Sequence, residues 1–294
     1  MTPTNDLTPI RITELADYAN DRRTWYYKWV LRLRAKDARR ETAPLISGTA
    51  IHFGIEAALL RADPAIDPHS VSRAAAYLKL GAELGEGGEK YKPGVDRALS
   101  GVPERLFDLP LPQTEMELRI PRPDLGVEFV GRPDVWFRTE DGVEIYEFKT
   151  SSSDEAVKHE RYEKWSMQAR YLAVLLDWQF RLQGEPTPPI YISYIMLSTR
   201  GKHVIGRLKL VTRAQLDLYA EMLEGWAGEM RAAVLSGKLP LPTYSALMEW
   251  SEYKAIEEAR LAALPGMTAD DVIADDFEQR RGHDVPVEPR TETD

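Results

Sequence analysis

The spacing of apolar residues predicts mostly helical structure in the first third of the chain. Apolar side chains recur near helical spacing over residues 11–34, which predicts one long helix after a loose arm at residues 1–10. A second helix is expected at about residues 49–61. Shorter helical pieces, interrupted by glycines, indicate a helical insert at about residues 63–110.

The pattern changes to the period of two that is typical of β-strands after residue 115. Asp141-Gly142 is a strong hairpin-turn signal between two of these strands. The predicted strands are 116–120, 127–138, 143–148, 190–197 and 203–210, and the predicted later helices are 155–182, 212–235 and 244–264. This order predicts an α/β fold in which helices flank a β-sheet.

Composition removes several classes of site. The chain has 294 residues and no cysteine, which excludes disulfides, thiolate zinc sites and cysteine-ligated iron–sulfur clusters. No apolar run is long enough for a membrane span, and the first ten residues lack the features of a secretion signal. A cytoplasmic protein without membrane partners is therefore expected.

The net charge of −9 is unevenly distributed. Residues 270–294 hold nine acidic and three basic side chains, whereas residues 21–40 hold eight basic and two acidic ones. The distribution matters more than the sum for a protein that binds nucleic acid. The basic segment is interpreted either as a solvated helix face or as a surface that follows a phosphate backbone.

The predicted hairpin carries a possible metal site. Glu147 and Lys149 are two residues apart, so their side chains share one face of a strand, and pairing around Asp141-Gly142 brings Asp134 beside Glu147. Two adjacent carboxylates repel each other unless a cation lies between them, and a hard divalent ion fits that position. Lys149 could then hold or deprotonate a water molecule aimed at a phosphodiester. The alternative is a surface hairpin with an ordinary Glu–Lys pair.

Four motifs in order extend this interpretation: Gly48-x-x-x-His52, Gly131-x-Pro-Asp134, Glu147-x-Lys149-Thr, and a helix that contains Gln168. Together they resemble the PD-(D/E)XK nuclease superfamily, in its RecB-like branch of CRISPR-associated and phage exonucleases, over about residues 11–260. The resemblance implies a restriction-endonuclease-like core, with a central mixed β-sheet flanked by helices and with helical N- and C-terminal additions. It also implies a single nuclease domain at residues 1–265 and an acidic tail at residues 266–294.

The resemblance further implies roles for individual residues. Asp134, Glu147 and Lys149 would be catalytic. Mg²⁺ or Mn²⁺ would be bound by His52, Asp134, Glu147 and the backbone carbonyl of Phe148. Gln168 and Tyr171 would contact DNA or support the site, and Glu56 would orient His52. The cysteines that hold an iron–sulfur cluster in many relatives are absent, so no such cluster is expected.

Under this interpretation, the basic segment would bind nucleic acid. Its cationic side chains would follow a phosphate backbone, and its aromatic side chains would either stack on exposed bases or, as the more frequent case, belong to the core. The cationic residues are Arg22, Arg23, Lys28, Arg32 and Arg34, and the aromatic ones are Trp25, Tyr26, Tyr27 and Trp29.

Several functions stay open at this stage. The first is a DNA exonuclease that acts on ends or single strands in recombination, repair or phage replication. The others are a structure-specific endonuclease with the same site, a non-catalytic DNA-binding subunit, and an enzyme that acts on RNA. The chain lacks the phosphate-binding motif of a helicase motor, so a helicase or a recombination and annealing protein would be a separate partner. The expected setting is the cytoplasm of a bacterium, with a bacterial or phage gene.

Overall fold

The computed structural model describes residues 7–35, 43–109, 112–114, 116–152, 167–238 and 240, and the short stretches 256, 270, 273–274 and 277–279. The chain divides into two compact units. Unit 1 contains Met1–Ile12 and Glu41–Leu223, and unit 2 contains Thr13–Arg40 and Glu224–Asp294.

The secondary structure of the described residues alternates between helices and strands. The strands are β1 (Thr8–Arg11), β2 (Leu33–Ala35), β3 (Gln113–Thr114), β4 (Leu118–Arg122), β5 (Val127–Gly131), β6 (Val135–Thr139), β7 (Gly142–Ser151), β8 (Ile190–Ser198), β9 (Val204–Ile205), β10 (Lys209–Val211) and β11 (Phe277–Gln279). The α-helices are α1 (Ile12–Asn20), α2 (Arg22–Trp25), α3 (Ala43–Leu59), α4 (Pro68–Leu84), α5 (Lys92–Leu99), α6 (Arg105–Asp108), α7 (Gln168–Leu182) and α8 (Arg213–Ser236). A π-helix spans Tyr26–Val30, and a 3₁₀-helix spans Gly85–Tyr91.

The main sheet of unit 1 has the order β10-β8-β7-β6-β3, with β9 also paired to β8. Strand β7 pairs with β6 in the antiparallel sense and with β8 in the parallel sense, so the sheet is mixed. Parallel neighbours need a long crossover connection, and α7 lies in the connection between β7 and β8. The α/β fold with a mixed sheet and flanking helices is thereby confirmed.

A smaller sheet of unit 1 has the order β1-β5-β4. Its strand β1 corrects the prediction of a loose arm at residues 1–10, because Thr8–Arg11 pairs in parallel with β5. The partner strand lies more than a hundred residues away, and local sequence patterns carry no signal for such pairing. The predicted strand at residues 127–138 is also corrected, since Arg132, Pro133 and Asp134 separate β5 from β6, which belong to different sheets.

The passage between these two sheets depends on Gly131. A Cβ atom at this position would lie 2.6 Å from Leu175 Cδ1 and 2.8 Å from both Ile12 Cγ1 and Leu172 Cδ2. These contacts are too short for non-bonded atoms. Glycine therefore allows α7 to pack closely where the chain leaves β5 and turns towards Asp134.

One hydrophobic core of unit 1 lies between the helices α3 to α6 and one face of the main sheet. The sheet contributes Val135, Phe137, Tyr146, Phe148, Ile195 and Leu197. Because successive side chains of a strand point to opposite faces, Glu147 lies between two core residues of β7 but points to the other face. The hydrophobic contacts of its neighbours thus fix the orientation of Glu147.

The basic segment of unit 2 corrects the prediction of one helix over residues 11–34. Helix α1 ends at Asn20, and the side chain of Asp21 accepts hydrogen bonds from the Arg23 amide at 3.0 Å and the Thr24 hydroxyl at 2.7 Å. This is an N-cap that starts α2, and the chain continues as the π-helix and β2. Trp25, Tyr26 and Tyr27 are buried, so these three aromatic residues belong to the core.

The other predicted elements show smaller differences. Helix α3 begins six residues earlier than expected, and α8 agrees with the predicted helix at residues 212–235 to within one residue at each end. The strand predicted at 203–210 is two short strands, β9 and β10. Most of the helix predicted at 244–264, residues 153–166 and most of the acidic tail lie outside the described residues. Among the helices that are described, none has the length and apolar character needed to cross a membrane.

Candidate active site

The structure places Asp134 and Glu147 side by side at the start of the β6–β7 ladder. Val135 is paired with Tyr146, and Asp134 and Glu147 are the next residues outward on each side. The Asp134 amide donates to Glu147 Oε1 at 3.4 Å, and the Phe148 amide donates to Asp134 Oδ2 at 2.7 Å. The backbone of the hairpin therefore holds both carboxylates in position.

Lys149 lies on the same side of β7 as Glu147. Its Nζ atom is 3.4 Å from Glu147 Oε2 and donates to Gln168 Oε1 at 3.1 Å. Gln168 is the first residue of α7, so that helix fixes where the lysine points. The ammonium group stands between a buried carboxylate and a neutral amide, where it can reach an incoming anion.

His52 approaches Asp134 from α3. Its Nδ1 atom is 3.3 Å from Asp134 Oδ1, and its ring meets that of Phe148 edge to face at 6.2 Å between centroids. Gly48, one helical turn earlier, allows this approach, since a Cβ atom there would lie 2.9 Å from Thr150 Oγ1 on β7. The spacing Gly48-x-x-x-His52 thus combines close packing of α3 on the sheet with a histidine directed at the acidic pair.

The pKa values of Asp134 and Glu147 are shifted in opposite directions by their surroundings. The side chain of Glu147 is 0% exposed, and burial, followed by the negative charge of Asp134, raises its pKa well above the ordinary value. Burial also acts to raise the pKa of Asp134, but His52, Lys149 and the Phe148 amide outweigh it and lower that pKa. Glu147 is therefore the carboxyl group that an added cation would favour most in its ionised form.

The donor atoms suit a hard divalent cation. Two carboxylates and an imidazole are ligands that Mg²⁺ and Mn²⁺ accept, and the nitrogen donor favours Mn²⁺. In the part of the chain that the structure describes, however, no three His, Asp or Glu side chains are already arranged around a common ion position. Asp134 instead accepts from the Phe148 amide and lies in contact with His52. The chemistry of these side chains fits the metal.

The predicted supporting residues Glu56 and Tyr171 lie on α3 and α7. Glu56 accepts a hydrogen bond from the Thr114 hydroxyl at 3.4 Å, and no hydrogen bond joins it to His52 among the described residues. Tyr171 is 0% exposed in the core, so its side chain is not at the surface, and its predicted support of the site stays a prediction. Burial raises its pKa, as expected for a phenol removed from water.

The basic residues of the early segment belong to unit 2, whereas the residues of the candidate site belong to unit 1. Arg22 forms an ion pair with Glu229 at 2.8 Å, Lys28 forms one with Asp17 at 2.7 Å, and Arg23 donates to the Pro240 carbonyl at 3.2 Å. Arg32 is exposed and has a φ of 55°. Arg34 lies on β2, opposite Glu278 of β11.

Tyr194 is a residue near the site that the sequence analysis missed. It is the parallel register partner of Glu147, and its hydroxyl accepts from the Ala169 amide at 3.2 Å in the first turn of α7. It therefore ties α7 to the sheet directly beside Gln168. A tyrosine in an apolar strand gives no local signal of such a contact, which only the tertiary fold creates.

The family comparison agrees with this geometry. The model of the PD-(D/E)XK nuclease superfamily matches residues 11–245, which is most of the chain, and the chain belongs to that superfamily. The resemblance carried by the four motifs, and with it the restriction-endonuclease-like fold, is thereby confirmed. No curated protein matches the chain.

Solved structures show more distant similarity. The crystal structure of a candidate exonuclease from Eubacterium rectale aligns with a TM-score of 0.49 and 12% identity, covering 84% of this chain and 94% of that one. The crystal structure of SSO0001 aligns with a TM-score of 0.27 and 15% identity, covering 71% of this chain and 94% of that one.

Proposed function

We propose that this chain is a divalent-metal-dependent deoxyribonuclease, and specifically an exonuclease that hydrolyses DNA in recombination, repair or phage replication. The observation that carries the proposal is the gathering of Asp134, Glu147 and Lys149 on one hairpin with His52 3.3 Å from Asp134. Membership of a superfamily of nucleases supports the reaction class. The choice of DNA, of an exonuclease and of the pathway is the proposed part.

The metal would be held by His52, Asp134, Glu147 and the backbone carbonyl of Phe148. When bound, such an ion polarises the phosphoryl group and lowers the pKa of water. Asp134 and Glu147 supply the negative charge that retains it, and its positive charge offsets the repulsion that raises the pKa of Glu147.

Lys149 would act on the nucleophile. Its ammonium group is held by Glu147 and Gln168, so it can hydrogen-bond to a water molecule and to a phosphate oxygen and orient the water for attack. A positioned group of this kind contributes roughly 10²–10⁴-fold to a rate. Lys149→Ala should therefore lower kcat by about that factor without loss of folding, because the side chain is partly exposed.

The test is digestion of end-labelled single- and double-stranded DNA with Mg²⁺, with Mn²⁺ or with a chelator. The wild type should release nucleotides from ends with metal and none with chelator. Asp134→Asn should lose cleavage, whereas Asp141→Asn, the same change at the exposed far end of the hairpin, should retain it. Asparagine before Gly142 also suits the turn, so the control keeps the fold.

Further substrates separate the proposal from its competitors. Cutting of covalently closed circular DNA would replace the exonuclease with an endonuclease that uses the same site. Cleavage of RNA alone would contradict the choice of substrate. Full activity of Asp134→Asn, or activity of the wild type that survives the chelator, would remove the mechanism.

A further inference from the structure

A basic cavity of about 130 Å³ opens in unit 1 between α7, α8 and the strands β8 and β10. Its lining includes three cationic side chains, Arg170, Arg207 and Lys209, and two phenols, Tyr194 and Tyr219. Among the residues that line it, none carries a carboxylate. A cavity with this charge is unexpected on a chain whose net charge is −9, and it suits a ligand with several anionic oxygens.

Arg170 is held in place at one wall of this basic cavity. Its guanidinium carbon lies 5.8 Å from the centroid of the Tyr219 ring, and its Nη1 atom contacts Met167 Sδ at 3.4 Å. Arg207 and Lys209 also line the cavity and are exposed, and Arg207 forms no ion pair within the described residues. A guanidinium group whose position is already fixed loses little entropy on binding and matches the geometry of a phosphate.

The basic cavity lies beside the candidate active site. Tyr194, which is 3% exposed and lines the cavity, is the register partner of Glu147 on the neighbouring strand, and neighbouring strands are about 4.8 Å apart. The Ala169 amide that donates to Tyr194 lies between Gln168, which holds Lys149, and Arg170 in the sequence. Strand β8 and the first turn of α7 therefore contribute residues both to the basic cavity and to the surroundings of the candidate active site.

We propose that the basic cavity binds a backbone phosphate of the nucleic-acid strand that is being cleaved, a short distance from the scissile bond. The proposal rests on the proposed nuclease function for its substrate. The cavity would add affinity and fix the path of the strand without taking part in bond cleavage. It should therefore affect KM and the salt dependence of binding, and leave kcat unchanged.

The test uses Arg207→Glu, with Lys202→Glu as the matched control. Both residues are exposed in the same stretch after β8, but only Arg207 lines the cavity. Binding of a fluorescent single-stranded oligonucleotide is measured by anisotropy in chelator, across a series of salt concentrations. We expect Arg207→Glu to weaken binding about tenfold and to lower the salt slope by about 1, whereas Lys202→Glu and Arg207→Lys stay near the wild type.

Steady-state cleavage completes the experiment with Arg207→Glu at saturating metal. The expected result is a KM raised about as much as the Kd, with kcat unchanged. Equal binding by the Arg207→Glu and Lys202→Glu variants would overturn the cavity assignment, even if the wild type cleaves DNA. A different outcome is a wild type that binds the oligonucleotide but does not cleave it, with binding lost in Arg207→Glu. This outcome would support the cavity assignment and contradict the proposed nuclease function. Binding of inorganic phosphate by a protein that does not bind the oligonucleotide would overturn the assignment of the cavity to a polynucleotide.

Discussion

Helices α3 and α4 approach each other so closely at Gly54 that a side chain has no room. A Cβ atom there would lie 2.4 Å from the backbone oxygen of Ser72 and 3.1 Å from Ala76 Cβ. Non-bonded heavy atoms pack best at about 3.5–4.0 Å, so the helices would have to separate by about an ångström. The obstacle is backbone, which cannot rotate away as the end of a side chain can.

The expected effect of Gly54→Ala follows from two opposing contributions. Overpacking of a core costs about 1–3 kcal/mol, and a backbone obstacle favours the upper end of that range. Alanine is better than glycine in a helix interior by about 1 kcal/mol, which offsets part of this cost. The net change is a loss of about 2 kcal/mol in the free energy of unfolding, or a Tm lower by roughly 4–8 °C in a chain of this size.

Gly81 provides the matched control. It lies inside α4, and a Cβ atom at this position would meet nothing within 4 Å. Gly81→Ala should therefore keep only the helix-propensity gain and raise the Tm by about 2–3 °C. Urea and thermal unfolding followed by circular dichroism would measure both variants. A Gly54→Ala protein as stable as Gly81→Ala would refute the argument that close helix packing requires this glycine.

Two further predictions concern the buried ionic contact of Asp177 with Arg213 and the binding of a metal ion at the candidate site. Asp177, 1% exposed, accepts hydrogen bonds from both terminal nitrogens of Arg213 and from the Thr187 hydroxyl. Burial acts to raise its pKa, but Arg213 and Thr187 outweigh it and lower that pKa. Asp177→Asn should cost about 1–3 kcal/mol at pH 7. The difference from wild type should begin to shrink as the pH falls below about 4, where the unfolded chain takes up the proton, and should be lost below the lowered pKa of the folded protein. Urea unfolding at pH 7 and pH 3 measures the loss of stability. The control Asp217→Asn removes the exposed partner of Arg213 and should cost less than about 1 kcal/mol. Equal losses in the two variants would contradict the prediction. Mn²⁺ at about 100 times its Kd should stabilise the wild type by about 2.7 kcal/mol in a thermal-shift assay. The control Asp141→Asn should be stabilised equally, whereas Asp134→Asn should show no shift. A shift in Asp134→Asn would remove that carboxylate from the ligand set.

The sequence predicted the hairpin of the site because its signals are local. Asp141-Gly142 fixes the turn, the turn fixes the register, and the register brings Asp134 beside Glu147. The alternation of apolar residues also predicts which face each side chain of β7 takes. These parts of the site follow from residues close together in the chain.

The contacts that span long stretches of chain could not be predicted in this way. Nothing in the sequence near His52 shows that α3 packs against β7, and only the resemblance to the nuclease superfamily associated that histidine with the hairpin. The parallel pairing of β1 was missed for the same reason. The basic cavity brings together Arg170 and Arg207 from separate elements, so neither residue looked unusual alone.

One error had a local signal. The apolar period over residues 11–34 continues across Asp21, which suggested a single helix, but aspartate is one of the preferred residues at the N-cap of a helix. The buried Tyr18 and Trp25 are seven residues apart, so the helical spacing of apolar residues continues across the break. Hydrophobic periodicity therefore hid a boundary that the capping residue marked.

The double pairing of β7 makes the length of this strand unusually sensitive to insertion. Strand β7 is matched residue by residue to β6 on one side and, from Val143 to Ser151, to β8 on the other. One added residue between Gly142 and Glu147 would turn both Glu147 and Lys149 towards the helices α3 to α6, and would turn Phe148 towards the opposite face of the sheet. Two added residues would restore the faces but would displace both ladders. Changes of chain length should therefore be tolerated at the exposed turn of the hairpin and not within β7.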